Sequence, residues 1–280
     1  MHRGERKSLC VAPRTPRGNP SSAALAALLA LVLLAAACAR TPYTNRSQLI
    51  LVSDAESAQL GAQAFQEVLR ESDVLRSGPA VEQVLRVGRR IAAASGLDAD
   101  WRFAVIDDDQ QNAFALPGGK VAVYTGLLEV TQSDAGLAVV LGHEIGHVVA
   151  RHGAERMSQG LAAQLGGTAL SIALGGGPNT QAVMAAYGLG AEYGVLRPFG
   201  RGQEAEADEI GLIVMARAGY DPREAIPFWE RMERSSGSRG RPPEFLSTHP
   251  SHGTRIELIR EKLPEALRYY QGGGRAADAR

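Results

Sequence analysis

His143-Glu144-Ile145-Gly146-His147 is the stretch of this 280-residue chain that decides its fold. Side chains four residues apart lie on one face of an α-helix, so the two imidazoles can hold one metal ion. Glu144 would then lie beside that ion, where a carboxylate can act as a base toward water. Ser133 and the apolar residues after it predict one long helix over 134–157. The alternative is a helix that carries two surface histidines.

A second polar pattern, Glu204-Ala205-Glu206-Ala207-Asp208, lies in a helix predicted from about 203 to 218. A zinc hydrolase needs a third protein ligand besides two histidines, and Glu204 can supply it. Asp208, one turn later, can accept a hydrogen bond from a ligand imidazole and set its tautomer. Glu206 points elsewhere and is a poorer candidate. We therefore expect one Zn²⁺ per chain, the alternative being an acidic helix face in solvent.

The rest of the chain predicts an α+β fold that is mainly helical with a small sheet. The turn Pro117-Gly118-Gly119 separates the second and third predicted strands. Ser53 and Glu56 form a capping-box pattern at the start of the first helix. The other predicted helices cover 53–75, 79–96, 161–174, 181–196, 221–234 and 253–270, and the strands cover 102–106, 112–116 and 121–124.

The composition excludes several classes of protein. Hydrophobic residues make up 45% of the chain and charged residues 21%, which indicates a globular body and not a disordered one. Thirty basic and thirty acidic side chains cancel, so no nucleic-acid partner is expected. Two cysteines exclude a disulfide scaffold and a cysteine-rich zinc module.

The amino terminus reads as an export signal. Residues 1–37 combine five basic side chains with a short apolar run, and Ala35-Ala36-Ala37-Cys38 resembles a bacterial lipobox. We expect a signal peptide over 1–37, lipidation of Cys38, a tether over 38–52, a catalytic domain over 53–270 and a disordered tail over 271–280. Ordinary cleavage after an Ala-x-Ala site or an uncleaved anchor are the alternatives. By resemblance to bacterial lipoproteins, such a protein would be anchored in the outer membrane and would face the periplasm.

Three motifs together resemble the HtpX/CAAX-prenyl-protease-type gluzincin metallopeptidases: HEIGHVVARH (143–152), EAEAD (204–208) and THPSHGTRI (248–256). NAFALPGG (112–119) fits the same family. The resemblance is greater to its soluble periplasmic BepA-like branch and its mitochondrial Oma-like branch, and it covers about residues 53–267. It implies a zincin-like fold whose edge strand lies beside the active-site helix. The helical-repeat domain of the BepA-like branch has no counterpart in this sequence.

The resemblance implies a role for each motif residue. His143, His147 and Glu204 would hold zinc, and Glu144 would be the general base. The segment Asn112-Ala113-Phe114 would form a sheet edge with which an extended peptide could pair. Asn112 could also be a plain turn residue.

The resemblance also implies roles for His249 and Arg255, and the sequence suggests roles for His152 and for a Gly/Ala-rich segment. His249 would be a fourth ligand in a latent state, or a polar stabiliser of the tetrahedral intermediate; a loop-capping histidine is the alternative. Arg255 would neutralise charge near the site, or simply start a helix. His152 follows His147 by five residues, so on one continuous helix it would face away from the metal and be structural. The Gly/Ala-rich segment 160–198 would cover the cleft.

These expectations lead to a zinc endopeptidase that degrades misfolded or misassembled cell-envelope proteins. Its partners would be those polypeptides, the membrane through the lipid anchor, and outer-membrane assembly machinery. One rival is a chaperone-like assembly factor with a mostly latent zinc site. A second is a purely structural zinc lipoprotein, against which the presence of Glu144 argues.

Overall fold

The computed structural model describes residues 38–175, 180–181, 183–184, 197–238, 244–249 and 255–270. The predicted signal peptide, the predicted tail and most of the predicted helix 181–196 lie outside this part of the chain. The helices are α1 Asp54–Glu71, α2 Pro79–Ser95, α3 Thr125–Thr131, α4 Asp134–Val149, α5 His152–Leu174, α6 Arg197–Arg217, α7 Ala225–Ser238, α8 Glu244–Thr248 and α9 Arg255–Leu267. The strands are β1 Cys38–Arg40, β2 Ser47–Leu49, β3 Val74–Leu75, β4 Arg102–Ile106, β5 Ala113–Leu116 and β6 Lys120–Tyr124.

Helix α4 is the centre of the fold. After Asp134 in its first turn, its residues are apolar or small on every side except for the His-Glu-His positions, and nearly all of them are buried. A helix that is apolar all round has no solvent face, so other elements must enclose it. Helices α2, α3 and α6 and strand β5 do so. The Ser133 side chain accepts a hydrogen bond from the Gly136 backbone at 3.0 Å, which starts the helix at the predicted place.

The sheet next to α4 has the order β3-β4-β6-β5, so β5 is an edge strand. Strand β4 runs parallel to β6, and β5 pairs antiparallel with β6 through the predicted turn. Gly118 and Gly119 have φ angles of 80° and 81°, which glycine adopts at little cost. Side chains of Ala113 and Ala115 pack with the main core, while Phe114 packs on the opposite face with a smaller cluster around Phe65. The predicted mainly helical α+β class, with its edge strand beside α4, is confirmed.

Helices α4 and α6 approach closely because small residues face each other at their crossing. A Cβ atom on Gly211 would lie 2.9 Å from the Gly142 carbonyl carbon and 2.9 Å from the His143 backbone nitrogen. A Cβ atom on Gly146 would lie 2.8 Å from the Ala207 carbonyl oxygen. Both contacts are with backbone, which cannot turn aside as a flexible side chain can. The glycines therefore let the two motif-bearing helices meet at backbone distance.

The expected single helix over 134–157 is wrong. Helix α4 ends at Val149, Arg151 adopts a left-handed conformation with φ 60° and ψ 30°, and α5 begins at His152. Neither break residue, Ala150 or Arg151, is a glycine or a proline. Arg151 forms an ion pair with Asp54 of α1, and the new helix direction buries His152 and Glu155. Tertiary contacts therefore offset the cost of the left-handed arginine.

The segment after residue 38, expected as a plain tether, is folded where the structure describes it. Strands β1 and β2 form a two-stranded sheet, and Thr41 and Gln48 are buried. The Leu51 backbone donates a hydrogen bond to Ser158 of α5 at 2.8 Å. Within the tether predicted over 38–52, residues 41–51 therefore pack onto the helical body. Among the described residues, no helix has the length and apolar character needed to cross a membrane.

Candidate metal centre

Four buried side chains from three parts of the chain converge on one point. His143 and His147 extend from α4, Glu204 from α6, and His249 directly follows α8. The two Nε2 atoms of the α4 histidines are 3.1 Å apart. His143 Nε2 lies 3.2 Å from Glu204 Oε2, and His147 Nε2 lies 3.5 Å from Glu204 Oε1. Two helices thus bring together two nitrogen donors and a carboxylate.

A carboxylate behind His143 orients its ring. His143 Nδ1 lies 2.8 Å from Asp208 Oδ1, and the Arg255 Nε donates to the other oxygen of Asp208 at 2.6 Å. Burial disfavours the charged form of Asp208, but Arg255 and His143 outweigh it and lower the pKa of the carboxyl. An ionised Asp208 can only accept, so His143 Nδ1 carries a proton, and Nε2 is the nitrogen left to bind a metal ion, which would displace any proton there.

Burial and the same neighbours act in opposite directions on the ligand groups. Burial alone would lower the pKa of His143, but the charge and hydrogen bond of Asp208 raise it to about 9. Burial lowers the pKa of His147 well below its ordinary value, so that imidazole is neutral. For Glu204, burial opposes ionisation, yet contacts with His143, His147 and His249 lower the pKa of its carboxyl. The cluster therefore holds an ionised carboxylate among imidazoles, which is the donor set of a cation site.

Glu144 lies beside the cluster with one oxygen unsatisfied. The side chain is 1% exposed, and its Oε1 has no hydrogen-bond partner among the described residues. Burial raises the pKa of Glu144, and the nearby His249 and His143, with a smaller contribution from a hydrogen bond of the Ala115 backbone of β5, partly oppose that rise. A buried carboxyl oxygen without a hydrogen bond is costly to keep for stability alone, which makes Glu144 a candidate for chemistry.

His249 occupies the remaining side of the cluster. Its Nδ1 lies 3.2 Å from His143 Nε2 and 3.1 Å from Glu204 Oε2. Its Nε2 lies 3.3 Å from Glu144 Oε1. The ring stacks on Phe245 with centroids 4.7 Å apart. One imidazole therefore faces the donor cluster through one nitrogen and the unsatisfied carboxyl through the other.

Arg255 fixes the outer wall of the site. Besides Asp208, its guanidinium contacts Glu204 Oε2 at 3.3 Å and the His249 carbonyl oxygen at 3.4 Å. It lies 3.9 Å above the ring of Trp229, where the ring's negative face attracts a cation. Arg255 is 4% exposed, so it is far more than an ordinary helix-start residue.

The edge segment lies against the same region of α4. The Asn112 side chain accepts a hydrogen bond from the Ala113 backbone at 2.9 Å, and the Asn112 carbonyl accepts one from Tyr124 of β6. Asn112 thereby terminates the strand, while Ala113 is buried against the core and Phe114 packs on the far face. The segment therefore offers backbone groups, and not these three side chains, to the outer edge.

The sequence of this chain is similar to those of a family of known proteins. The model of peptidase family M48 matches residues 80–263, a range that contains every residue of the metal cluster. This chain belongs to peptidase family M48. The resemblance drawn from the three sequence motifs is thereby confirmed, and members of family M48 use zinc.

Several M48 relatives are similar over most of this chain. The mitochondrial metalloendopeptidase OMA1 of Schizosaccharomyces pombe is 40% identical over 231 residues, which are 80% of this chain and 66% of that protein. The human mitochondrial metalloendopeptidase OMA1 is 34% identical over 81% of this chain and 46% of its own length. The β-barrel assembly-enhancing protease of Yersinia pestis is 34% identical over 69% of this chain and 41% of its own length. The M48 chain thus spans about two thirds or less of each of these relatives.

The types of donor atoms in the cluster, and the distances between them, both suit zinc. Two histidines and one glutamate are an established donor set for catalytic zinc. Bonds of about 2.0–2.1 Å in a tetrahedron place neighbouring donor atoms about 3.3–3.4 Å apart. Counting both Glu204 oxygens, five of the six residue pairs in the cluster have donor atoms 3.1 to 3.5 Å apart. All four residues offer donor atoms within 4.8 Å of one another, so the donor set fits one zinc ion.

Sequence reasoning placed one contributing residue incorrectly and missed others. His152 does not face away: its Nδ1 lies 2.8 Å from His147 Nδ1, because the helix break turns it back toward the ligand. Glu206 does point away from the cluster, as expected, but it contacts His152 and is buried. Arg46 lies in the predicted tether, where no pattern in the sequence marks it as part of the site. The EAEAD pattern offered one signal, since three acidic residues on one buried helix need partners.

Proposed function

We propose that this M48 chain is a zinc-dependent endopeptidase. The observation that carries the proposal is the position of Glu144, whose unsatisfied carboxyl oxygen lies beside a buried His-His-Glu donor set. A structural zinc site has no use for a base at this point. Metalloendopeptidases among the M48 relatives support the same reaction class.

The proposed reaction divides among residues of this chain. His143, His147 and Glu204 would hold zinc, which when bound supplies a Lewis acid for the scissile carbonyl and lowers the pKa of water. Glu144 takes a proton from the attacking water and passes it to the leaving amine. Burial suits Glu144 to this work, because a raised pKa strengthens the carboxylate as a base. Asp208 and Arg255 hold His143 and Glu204 in position.

Strand β5 would bind the substrate backbone. It lies at the edge of its sheet, and its Ala115 backbone contacts the proposed base. An extended polypeptide that adds to this edge would pass next to Glu144 with its carbonyl groups aligned. Backbone pairing tolerates many side chains, which suits an enzyme that acts on unfolded or misassembled polypeptides of varied sequence.

Removal of the metal tests the proposal directly. Incubation of the full chain with a chelator should abolish casein cleavage, and added zinc should restore it, because the His-His-Glu set then regains its ion. Peptide release from labelled casein measures both steps. A chain that retains full activity after the chelator has removed all zinc would contradict the proposal. Untreated chain that binds unfolded casein without cleaving it would instead support the chaperone-like assembly factor.

The position of His249 favours a latent state of the zinc site. A mostly latent site is also what the alternative function, a chaperone-like assembly factor, would have. In this arrangement His249 is the fourth donor and also approaches Glu144. We expect His249→Ala to raise casein cleavage roughly tenfold, which corresponds to a closed state favoured by about 1.4 kcal/mol. Steady-state rates at saturating zinc measure the effect.

The control for this variant is Thr248→Ala. The hydroxyl of the exposed Thr248 donates hydrogen bonds only to the backbone of its own helix. Cleavage that falls in His249→Ala would assign His249 to stabilisation of the tetrahedral intermediate. Unchanged rate and unchanged zinc affinity would exclude both roles.

We further propose that the enzyme acts in the periplasm as a lipoprotein, with misassembled envelope proteins as substrates and outer-membrane assembly machinery as a partner. The lipobox-like Ala35-Ala36-Ala37-Cys38 and the similarity to the Yersinia pestis protease support this location. The mitochondrial relatives support the reaction class alone. Mass spectrometry of the bacterial product should find an amino-terminal Cys38 that carries acyl chains. An unmodified terminus at another residue would contradict the anchor.

A further inference from the structure

A buried chain of polar contacts links Arg46 to the metal ligand His147. His147 Nδ1 lies 2.8 Å from His152 Nδ1, and His152 Nε2 lies 3.0 Å from Glu206 Oε2. The Arg46 Nε donates to the same oxygen of Glu206 at 2.6 Å. Every member except Arg46 is less than 10% exposed. A residue near the amino terminus of the described chain is therefore three contacts away from the metal cluster.

Arg46 is held by two buried carboxylates at once. Its two terminal nitrogens donate to the oxygens of Glu155 at 2.8 and 2.7 Å, in addition to the bond with Glu206. The side chains of Glu155 and Glu206 are 0% and 4% exposed, and that of Arg46 is 27% exposed. Buried carboxylates need a paired cation, and the planar guanidinium suits this bridge better than an ammonium. The hairpin of β1 and β2 thus contributes the cation for a pair of acids on α5 and α6.

The direction of each hydrogen bond follows from Glu206. Glu206 Oε2 accepts a hydrogen bond from the Arg46 guanidinium at 2.6 Å, and a carboxylate paired with a guanidinium is held in its ionised form. An ionised carboxylate only accepts, so His152 Nε2 donates to it. A neutral imidazole that donates from Nε2 has its lone pair on Nδ1, and the Nδ1 of His152 faces His147 Nδ1 at 2.8 Å. His147 Nδ1 must then be the donor, which leaves its Nε2 lone pair directed at the cluster.

We propose that Arg46, acting through Glu206 and His152, is a positioning residue that sets the tautomer and orientation of His147 for metal binding. The inference rests on the assignment of His147 as a zinc ligand under the proposed function. Outer contacts of this kind hold ligand imidazoles in the tautomer that a metal needs. Residues 41–49 are then part of the metal centre and not a spacer between anchor and enzyme.

The test measures metal affinity, and not activity. Full-chain wild type and Arg46→Met are titrated with Co²⁺, whose visible absorption reports ligand number and geometry, and with Zn²⁺ against a chelator of known affinity. We expect Arg46→Met to bind both ions about 10- to 100-fold more weakly, with an altered Co²⁺ spectrum. Arg46→Lys should recover part of the loss, because it restores a cation without the bidentate fork.

The matched control is Arg40→Met, a substitution in the same hairpin. The Arg40 guanidinium contacts the Asn45 carbonyl and, among the described residues, no carboxylate. This variant should bind metal like the wild type. If Arg40→Met loses as much affinity as Arg46→Met, or if Arg46→Met binds like the wild type with an unchanged Co²⁺ spectrum, the proposal is overturned. A purely structural role would lower the thermal midpoint and leave the spectrum of the folded protein unaltered.

A second variant decides the matter if Arg46→Met fails to fold. Glu206→Gln is close in shape, keeps the Arg46–Glu155 pair and removes the charge that orients His152. We expect its zinc affinity to fall about tenfold. Affinity equal to that of the wild type would overturn the proposal. A wild type that binds no metal under the same conditions would refute the zinc assignment itself, which separates the failure of the proposed function from the failure of this inference.

Discussion

Glu144→Gln should reduce peptide hydrolysis by about 10²- to 10⁴-fold and leave the fold and the zinc affinity close to those of the wild type. Glutamine preserves the shape of the side chain but cannot accept the proton from water. The variant should be as stable as the wild type, since the Oε1 atom of Glu144 has no hydrogen-bond partner among the described residues and burial already disfavours the charge of this carboxyl group. The measurement is kcat/KM on a fluorogenic peptide with zinc saturating.

The control for this prediction is Glu67→Gln, which removes an exposed carboxylate from α1 and should change nothing. Zinc content is measured on the same samples, because loss of metal would also abolish activity. Undiminished cleavage by zinc-loaded Glu144→Gln would refute the role of Glu144 as general base. Lost cleavage together with lost zinc would show that the residue helps to hold the ion.

Gly211→Ala should destabilise the protein by about 1–3 kcal/mol and weaken zinc binding, although the residue contacts no metal ligand through a side chain. The added Cβ would lie 2.9 Å from backbone atoms of Gly142 and His143. Because those atoms belong to a buried helix, α4 and α6 must separate to accommodate it. Separation moves Glu204 away from His143 and His147, since these ligands are on opposite helices. Thermal unfolding and Co²⁺ titration measure the two effects.

Gly160→Ala is the matched control. It makes the same substitution within α5, but no atom lies within 4 Å of the added Cβ. Alanine is a better helix former than glycine by up to about 1 kcal/mol, so this variant should be as stable as the wild type or slightly more stable. If Gly211→Ala behaves like Gly160→Ala in both assays, close approach of the two helices is not what assembles the cluster.

Local patterns in the sequence predicted the elements whose cause is local. The Ser133 cap, the Ser53–Glu56 capping box and the turn at Pro117-Gly118-Gly119 all occur as expected, since each involves residues within a few positions of one another. The end of α4 was mispredicted for the opposite reason. Arg151 adopts a left-handed conformation without any local signal, and its partner Asp54 is almost a hundred residues away. Segment 41–49 likewise lacks a pattern that would predict its burial.

By itself, the sequence determined that His143 and His147 share one helix face with Glu144 beside them, because a helix turn places residues four apart together. It also supplied Glu204 and Asp208 on a second helix. Only the tertiary structure decided how these helices meet, at glycines that allow backbone contact. It also decided which of the alternatives for His249 holds, since it places that side chain among the donor groups. The same holds for the connection from Arg46 through Glu206 and His152 to His147. Arg46 contacts Glu206 and Glu155, which are more than a hundred positions away. Such pairs of buried charges form only when the tertiary structure brings them together, so the spacing of nearby residues cannot predict them.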